Sequence, residues 1–230
     1  VTTTKTAASL TVDPAEFHGL LVDLMRSASD DSALPMINGV LLHLADHDGT
    51  KVLVGTSTNR FLAAQAFINA GGDLAPLWLD LSRVKQIVAI LKPYTRANNL
   101  LTELSIADDK LVVRQPGDIV LPAVSITVPV GDQHDSFPKM AKLFAPDEDA
   151  ATGDAVTFDP RWLSVPLAVA KRRGERFTFT TVRVKKANFV QVGERYRALL
   201  MPVNESAASV PFFAPPHDTT EPARPEAVAA

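Results

Sequence analysis

Cysteine is absent from this 230-residue chain, which removes disulfide frameworks, thiolate zinc sites, iron–sulfur clusters and cysteine nucleophiles together. Aromatic residues are few, at 7%, with two Trp and two Tyr. No apolar run approaches the ~18 residues that a membrane span needs. The opening stretch, Val1 to Ala8, is threonine-rich and lacks a charged-then-apolar leader pattern, so a cytoplasmic protein without membrane contact is expected. No large excess of either charge exists: 23 Lys and Arg face 26 Asp and Glu, a net charge of −3. That balance argues against a surface that grips nucleic acid everywhere, but it leaves the distribution of cations open. What is present is a 46% hydrophobic fraction, enough to bury one or two ordinary cores and to exclude wholesale disorder and fibrous states.

Three segments share one design, a short alternating strand, a helix-start signal, an amphipathic helix and further strands. In the first, Leu10-Thr11-Val12 leads to Asp13-Pro14-Ala15-Glu16, where Asp13 can cap free amides, Pro14 suits the first helical position and Glu16 completes a capping box. Phe17, Leu20, Leu21 and Leu24 then form one apolar stripe, giving a helix to about Ser27. In the second, Leu77-Trp78-Leu79 leads to Ser82 as the expected cap, with Val84, Ile87, Val88 and Leu91 as the stripe and Pro93 as the stop. In the third, Val156-Thr157-Phe158 leads to Asp159-Pro160, and Leu163, Leu167 and Ala170 continue to a terminating Gly174, with Pro166 expected to kink or shorten the helix.

Strands fill the intervals. Gly39–Leu44 and Lys51–Gly55 flank the turn Asp46-His47-Asp48-Gly49, and Leu62–Ile68 follows. After the second helix come Leu101–Ile106, Lys110–Arg114 and Ile119–Val128. After the third come Arg176–Val184, Asn188–Gln191 and Tyr196–Val203. Each unit therefore reads strand, helix, three strands. The implied organisation is a lead at 1–9, two units over 10–130, a linker at 131–154 anchored by Phe137, Met140, Leu143 and Phe144, a third unit over 155–204, and a disordered tail at 205–230 rich in Ala, Pro and Glu.

A search for catalytic chemistry finds none. His43 and His47 have helical zinc spacing but fall at a strand end and in a turn. Asp147, Asp149 and Gly153 begin a calcium-loop pattern that fails, since its fifth position is Ala151 and its twelfth Phe158. No phosphate loop, dinucleotide glycine pattern or serine elbow occurs, and Asp30-Asp31 and Asp108-Asp109 read as turn residues. The expectation is a non-enzyme with no metal and no cofactor.

The helix faces are informative. With the apolar stripes buried, Lys85 and Lys92 point outward on the second helix, and Arg161, Lys171, Arg172 and Arg173 do so on the third. Cations late in a helix also complement its macrodipole. On the first helix, Asp23 is expected to offset Arg26.

Two stretches, Leu34-Pro35-Met36-Ile37-Asn38-Gly39-Val40-Leu41-Leu42 and Val54-Gly55-Thr56-Ser57-Thr58-Asn59-Arg60-Phe61-Leu62-Ala63, resemble the bacterial DNA polymerase III β sliding clamp family. Ser136-Phe137-Pro138 resembles the opening of that family's link between its second and third domains, and Tyr196-Arg197-Ala198-Leu199-Leu200-Met201-Pro202-Val203 resembles its closing strand. The resemblance covers about one whole clamp domain and half of another. It implies an α+β, DNA-clamp-like fold, with helices on one face of antiparallel sheets, in a compact version of the kind a bacteriophage could encode. Such proteins tether polymerases rather than catalyse, and their rings slide on DNA through screened phosphate contacts without reading bases.

The resemblance also implies sites and partners. The DNA-facing residues would be Arg26, Lys85, Lys92, Arg161, Lys171, Arg172 and Arg173. A hydrophobic pocket for partner peptides would use Ile37, Thr56, Thr58, Asn59, Arg60 and Phe61 on one wall and Leu199, Met201, Pro202 and Val203 on the other, with Pro146 at the linker. Thr58 stands where the family usually has glycine, Asn59 where it has histidine and Asn204 where it has arginine. Implied partners are duplex DNA, a replicative DNA polymerase and a clamp loader. Family rings are lined by twelve helices, so three per chain implies a tetramer, or a dimer of paired half-domains equivalent to half a ring. A clamp-fold interaction module or decoy that never encircles DNA is the alternative. In the tail, Phe212-Phe213 could occupy the peptide pocket.

Overall fold

The computed structural model describes residues 9–97, 100–133, 136–140, 156–181 and 187–203. In chain order these form β1 (Ser9–Val12), α1 (Pro14–Leu24), a 3-10 turn at Pro35–Ile37, β2 (Gly39–His47), β3 (Thr50–Thr58), β4 (Leu62–Asn69), β5 (Gly71–Gly72), β6 (Leu77–Asp80) and α2 (Leu81–Leu91). A second 3-10 turn at Lys92–Arg96 follows, then β7 (Thr102–Ala107), β8 (Lys110–Gln115), β9 (Val124–Pro129), α3 (Pro160–Arg173), β10 (Phe177–Thr181), β11 (Asn188–Val192) and β12 (Tyr196–Leu200).

The three helices among the described residues all start on an aspartate. Asp13 Oδ1 accepts from the Ala15 and Glu16 amides at 2.8 and 2.9 Å, and Asp159 Oδ1 accepts from the Arg161 amide at 2.9 Å. The cap of α2 is Asp80, not Ser82, because the Asp80 carboxylate already takes the Ser82 and Arg83 amides at 2.9 and 3.0 Å. Helix α1 stops at Leu24, short of Ser27, where the Ser27 and Ala28 amides both turn back onto the Leu24 carbonyl. Helix α3 runs on through Pro166 and ends on Gly174 at φ 67°, a left-handed position that glycine adopts without a Cβ penalty.

Two other expectations are corrected. The strand read over Ile119–Val128 is β9 at Val124–Pro129, because the Asp118 carboxylate accepts from the Val120 and Leu121 amides at 2.7 Å and folds 118–121 into a turn. Val156–Phe158 forms no strand, its one backbone bond to a neighbouring segment among the described residues being from the Val203 amide to the Thr157 carbonyl at 2.8 Å. The 141–155 and 204–230 segments, with Pro146, Leu143, Phe144 and Phe212-Phe213, lie outside the described residues.

The strands make two antiparallel sheets, β5-β1-β7-β8-β9 and β10-β11-β12-β4-β3-β2-β6. The first two units exchange their leading strands: β1 pairs with β7 of the second unit, and β6 pairs with β2 of the first. The third unit joins the first through β12 and β4, with Leu200 opposite Leu62, Ala198 opposite Ala64 and Tyr196 opposite Ala66.

Register assigns the faces, because residues directly opposite one another point the same way. Leu77, Leu42, Gly55 and Ala66 form one row across β6, β2, β3 and β4, and Phe179, Val190 and Ala198 form another across β10, β11 and β12. These residues face the helices, and most of them sit in one contiguous core with Phe17, Leu20, Leu24, Val84, Ile87 and Val169. At Gly55 a Cβ would lie 2.2 Å from Leu24 Cδ1, so glycine is what lets α1 settle on the sheet. On the opposite face of the β4/β12 seam, Ala63 and Leu199 form a small apolar cluster covered by Met140, Ala187 and Phe189.

Candidate functional site

Among the described residues each helix packs an apolar side on the sheets and leaves polar side chains outward, but on α3 the buried residues are Pro166, Val169 and Ala170, and Leu167 of the expected stripe is 45% exposed. Arg26 in the turn after α1, Lys85 on α2, Lys92 just past its end and Lys171 on α3 are exposed and carry no ion pair among the described residues. The other three predicted cations are placed differently. Arg161 grips the Asp159 cap carboxylate through Nε and Nη2, the latter at 2.6 Å. Arg172 and Arg173 both reach across to Asp23 of α1: Arg172 Nε donates to Oδ1 at 2.6 Å, Arg172 Nη2 to Oδ2, and Arg173 Nε to Oδ2 at 2.9 Å.

Asp23 therefore does not offset Arg26. Its side chain is 1% exposed, and it binds α3 to α1. A buried carboxylate needs partners of opposite charge, and the Arg pair supplies them from 149 and 150 positions away. Arg173 also lies over the buried Tyr196 ring at 5.7 Å. Arg172 stays 37% exposed and, with Lys92, adds positive potential at His18. Burial first, then Arg172, then Lys92, holds His18 below the ordinary histidine range. The ends of α2 and α3 thus deliver cations to the middle of α1.

The residues of the expected peptide pocket divide by depth. Ile37, Thr56, Thr58 and Leu199 are buried. Thr56 Oγ1 accepts from Gln65 Nε2 at 3.1 Å, and Thr58 Oγ1 donates to the Leu62 carbonyl at 2.9 Å. Thr56, Thr58 and Leu199 lie on the sheet face away from the helices. Asn59 forms the turn itself, its Oδ1 accepting from the Phe61 and Leu62 amides at 3.1 and 2.9 Å. Arg60 takes φ 80° in that turn. Phe61 and Met201 are 52% and 42% exposed, and the Met201 amide donates to the Phe61 carbonyl at 3.0 Å, which extends the β4/β12 seam by one rung. Pro202 and Val203 follow it half-buried.

The Phe61 ring stacks on Trp162 in the first turn of α3, centroids 5.4 Å apart and 7° from parallel. Trp162 and Phe61 belong to a cavity of about 460 Å³ that also takes in Asn59, Arg60, Met25, Leu34, Arg26, Lys85, Asp30 and Asp31. Sequence reasoning had put Arg26 and Lys85 with the DNA and Asn59, Arg60 and Phe61 with the peptide, yet one groove holds all five. It missed Trp162, whose place beside Phe61 depends on a contact across about a hundred residues. An aromatic lying off the expected stripe, early in an amphipathic helix, was the one available signal.

By sequence, no protein-family model matches the chain and no curated protein does. Solved structures match along most of its length. The DNA polymerase III β subunit of Thermotoga maritima superposes with a TM-score of 0.67 at 12% identity, covering 90% of this chain and 68% of that one. The sliding clamp of Caulobacter crescentus gives 0.67 at 12% identity over 89% and 68%, and that of Bacillus subtilis 0.65 at 11% over 88% and 66%. The chain has the sliding-clamp fold. It spans about two-thirds of the length of these clamps, and its antiparallel sheets with helices on one side are the α+β architecture that the resemblance implied. Among the described residues no helix is long and apolar enough to cross a membrane, and no group of three or more His, Asp or Glu is placed to hold a metal ion.

Proposed function

We propose that this protein is a sliding-clamp-like processivity factor of the cytoplasm, in which several copies encircle duplex DNA and a surface groove docks a peptide of the replicative polymerase or of the loader that opens the ring. The observation that carries the reading is the shared helix layer: α1, α2 and α3 lie on one face of the sheets, with Lys85 and Lys171 on their outward sides and Arg26 and Lys92 just past the ends of α1 and α2, none of the four ion-paired among the described residues. Such a layer meets phosphates without base contacts, as a sliding ring requires. Arg161, Arg172 and Arg173 have carboxylate partners already, so the reading leans on the four cations that carry no ion pair among the described residues. The clamp fold suggests no catalysis, and no reaction is assigned.

Peptide docking is assigned to the Phe61/Trp162 groove and the adjoining Met201, where exposed apolar surface is flanked by Arg60, Asp30 and Asp31; Arg26 and Lys85 line the same groove, so Lys92 and Lys171 are the DNA-facing cations outside it. An apolar cleft with a few polar groups suits a short hydrophobic peptide.

The test is topological. Loaded on circular duplex DNA, the protein should stay bound through gel filtration and be lost when the circle is cut. Reversing Lys85, Lys92 and Lys171 to Glu should abolish retention without changing the assembly mass. Equal loss from circular and linear DNA would favour the alternative, a clamp-fold interaction module, for which the neutralised Arg172 and Arg173 speak.

A further inference from the structure

Each unit's leading segment has two edges, and two units show what fills them. One edge takes the chain that leaves the unit's own last strand. Thr11 pairs with Gly71, the Gly131 amide donates to the Trp78 carbonyl at 3.0 Å, and the Val203 amide donates to the Thr157 carbonyl at 2.8 Å. Thr11, Trp78 and Thr157 each stand two positions before the capping Asp13, Asp80 and Asp159. Gly71, Gly131 and Val203 each stand five positions after Ala66, Ile126 and Ala198, which hold the same place in the three hairpins, opposite Gly55, Val113 and Val190. The third unit thus repeats this half of the pairing in register.

The other edge is filled only in the complete domain, where β1 lies on β7 and β6 lies on β2. Strand β10 holds the place of β2 and β7, and among the described residues it is the outermost strand of its sheet. Among the described residues, 156–158 likewise have no second strand beside them.

We infer that a second copy of this chain fills both edges, each copy laying its Val156–Phe158 segment on β10 of the other about a twofold axis. This deepens the clamp reading, which by itself gives only that copies associate. The register follows from the chain's own pairs. Val12 opposes Thr102 and Leu10 opposes Leu104, while Leu79 opposes Val40 and Leu77 opposes Leu42. Carried to the third unit, Phe158 opposes Phe177 of the second copy, Thr157 opposes Thr178, and Val156 opposes Phe179. Val156, Phe158, Phe177 and Phe179 are all half-buried, so the contact closes apolar surface as well as two strand edges. Leu167, 45% exposed on α3, lies on the helix that would pack as α1 packs on α2.

The opposite end of the chain carries a second self-complementary edge. The described junction between units joins last strand to last strand, β4 to β12, about a local dyad at the Gln65/Arg197 pair, with Ala64 opposite Ala198 and Ala66 opposite Tyr196. The remaining last strand, β9, is an outer strand. The same rule sets it on β9 of another copy with Ser125 on the axis. Beside it Ile119 and Val120 are 104% and 85% exposed, in the turn that corresponds to the one holding Phe61. Two different twofold contacts, alternating, close a four-chain ring, and the three described helices of each chain line it with twelve.

The chain has no cysteine, so introduced thiols report directly. Opposed residues of antiparallel strands have the Cα separation that a disulfide needs. Thr157→Cys with Thr178→Cys in one chain should oxidise to a covalent dimer, and neither single variant should. Ser125→Cys alone should also give a dimer, and all three together a covalent tetramer. The reduced variants should keep the four-chain mass of the parent. A four-chain mass with no disulfide at these positions would overturn the register while leaving the clamp reading standing. A monomer would overturn both contacts. If removing residues 204–230 turns that monomer into a cross-linkable dimer, the chain's own tail is the occupant and the proposal fails for the full chain. Efficient cross-linking with no retention on circular DNA would keep the assembly and reject the clamp function.

Discussion

Arg173 Nε donates to Asp23 Oδ2 at 2.9 Å, and the two side chains are 12% and 1% exposed. The pair holds the third unit's helix to the first unit's helix at the level of the core, alongside the second, more exposed bond from Arg172. Removing one partner of such a pair strands the other without water. Asp23→Ala should therefore cost about 3–5 kcal/mol, read as a lower urea midpoint. Asp23→Asn, which keeps an acceptor, should cost less.

The four unpaired cations should show themselves in salt dependence. Each phosphate contact removed from duplex binding lowers the slope of log K against log salt by about 0.9. Lys85→Ala, Lys92→Ala and Lys171→Ala should each do so with little change in stability. Arg172→Ala should instead lower stability through Asp23. Slopes unchanged across all three lysine variants would remove the DNA-facing assignment.

Gly55 lies under Leu24, with Leu42 Cδ2 a further 3.2 Å neighbour of any added Cβ. Gly55→Ala should destabilise by about 1–3 kcal/mol through overpacking. Pairing it with Leu24→Ala should recover part of that loss in the same denaturation experiment.

His18 is held below its ordinary range by burial, Arg172 and Lys92, and His43 by burial. The unfolded chain then binds protons more readily than the folded one just below the unfolded pKa of about 6.5. Stability should be complete above that pH and fall as pH drops through it toward the folded values. His18→Gln should shrink the difference between urea midpoints at pH 7.5 and 5.5. An unchanged difference would show that the cation cluster does not act on His18.

Trp162 should report on the groove. A hydrophobic peptide entering beside Phe61 must change the polarity around the Trp162 ring, whereas Trp78, 5% exposed and packed between Gly39 and Gly131, should stay constant. The emission shift on peptide addition should vanish in Trp162→Phe and persist in Trp78→Phe.

Much of the fold was readable because its signals are local. The Asp-Pro pairs at Asp13 and Asp159 mark helix starts, the stripes Phe17-Leu20-Leu21-Leu24 and Val84-Ile87-Leu91 mark buried faces, and the stretches Leu34–Leu42, Val54–Ala63 and Tyr196–Val203 carry the clamp resemblance, with which the repeated order of elements agrees. The misreadings were local competitions. Asp80 outbid Ser82 for the same amides, and Asp118 drew Val120 and Leu121 into a turn that alternation alone reads as strand.

The sequence by itself determined the three described helices and, for α1 and α2, which side is apolar, since side-chain period and capping chemistry act within a few residues; on α3 it misplaced Leu167, which is exposed. Only the tertiary structure decided which charges are free. Asp23 meets Arg172 and Arg173, and Phe61 meets Trp162, because β12 docks on β4 and swings α3 beside α1. No local pattern encodes that meeting. It follows from burying one continuous apolar face across both sheets, and that burial chooses which distant polar groups must find each other.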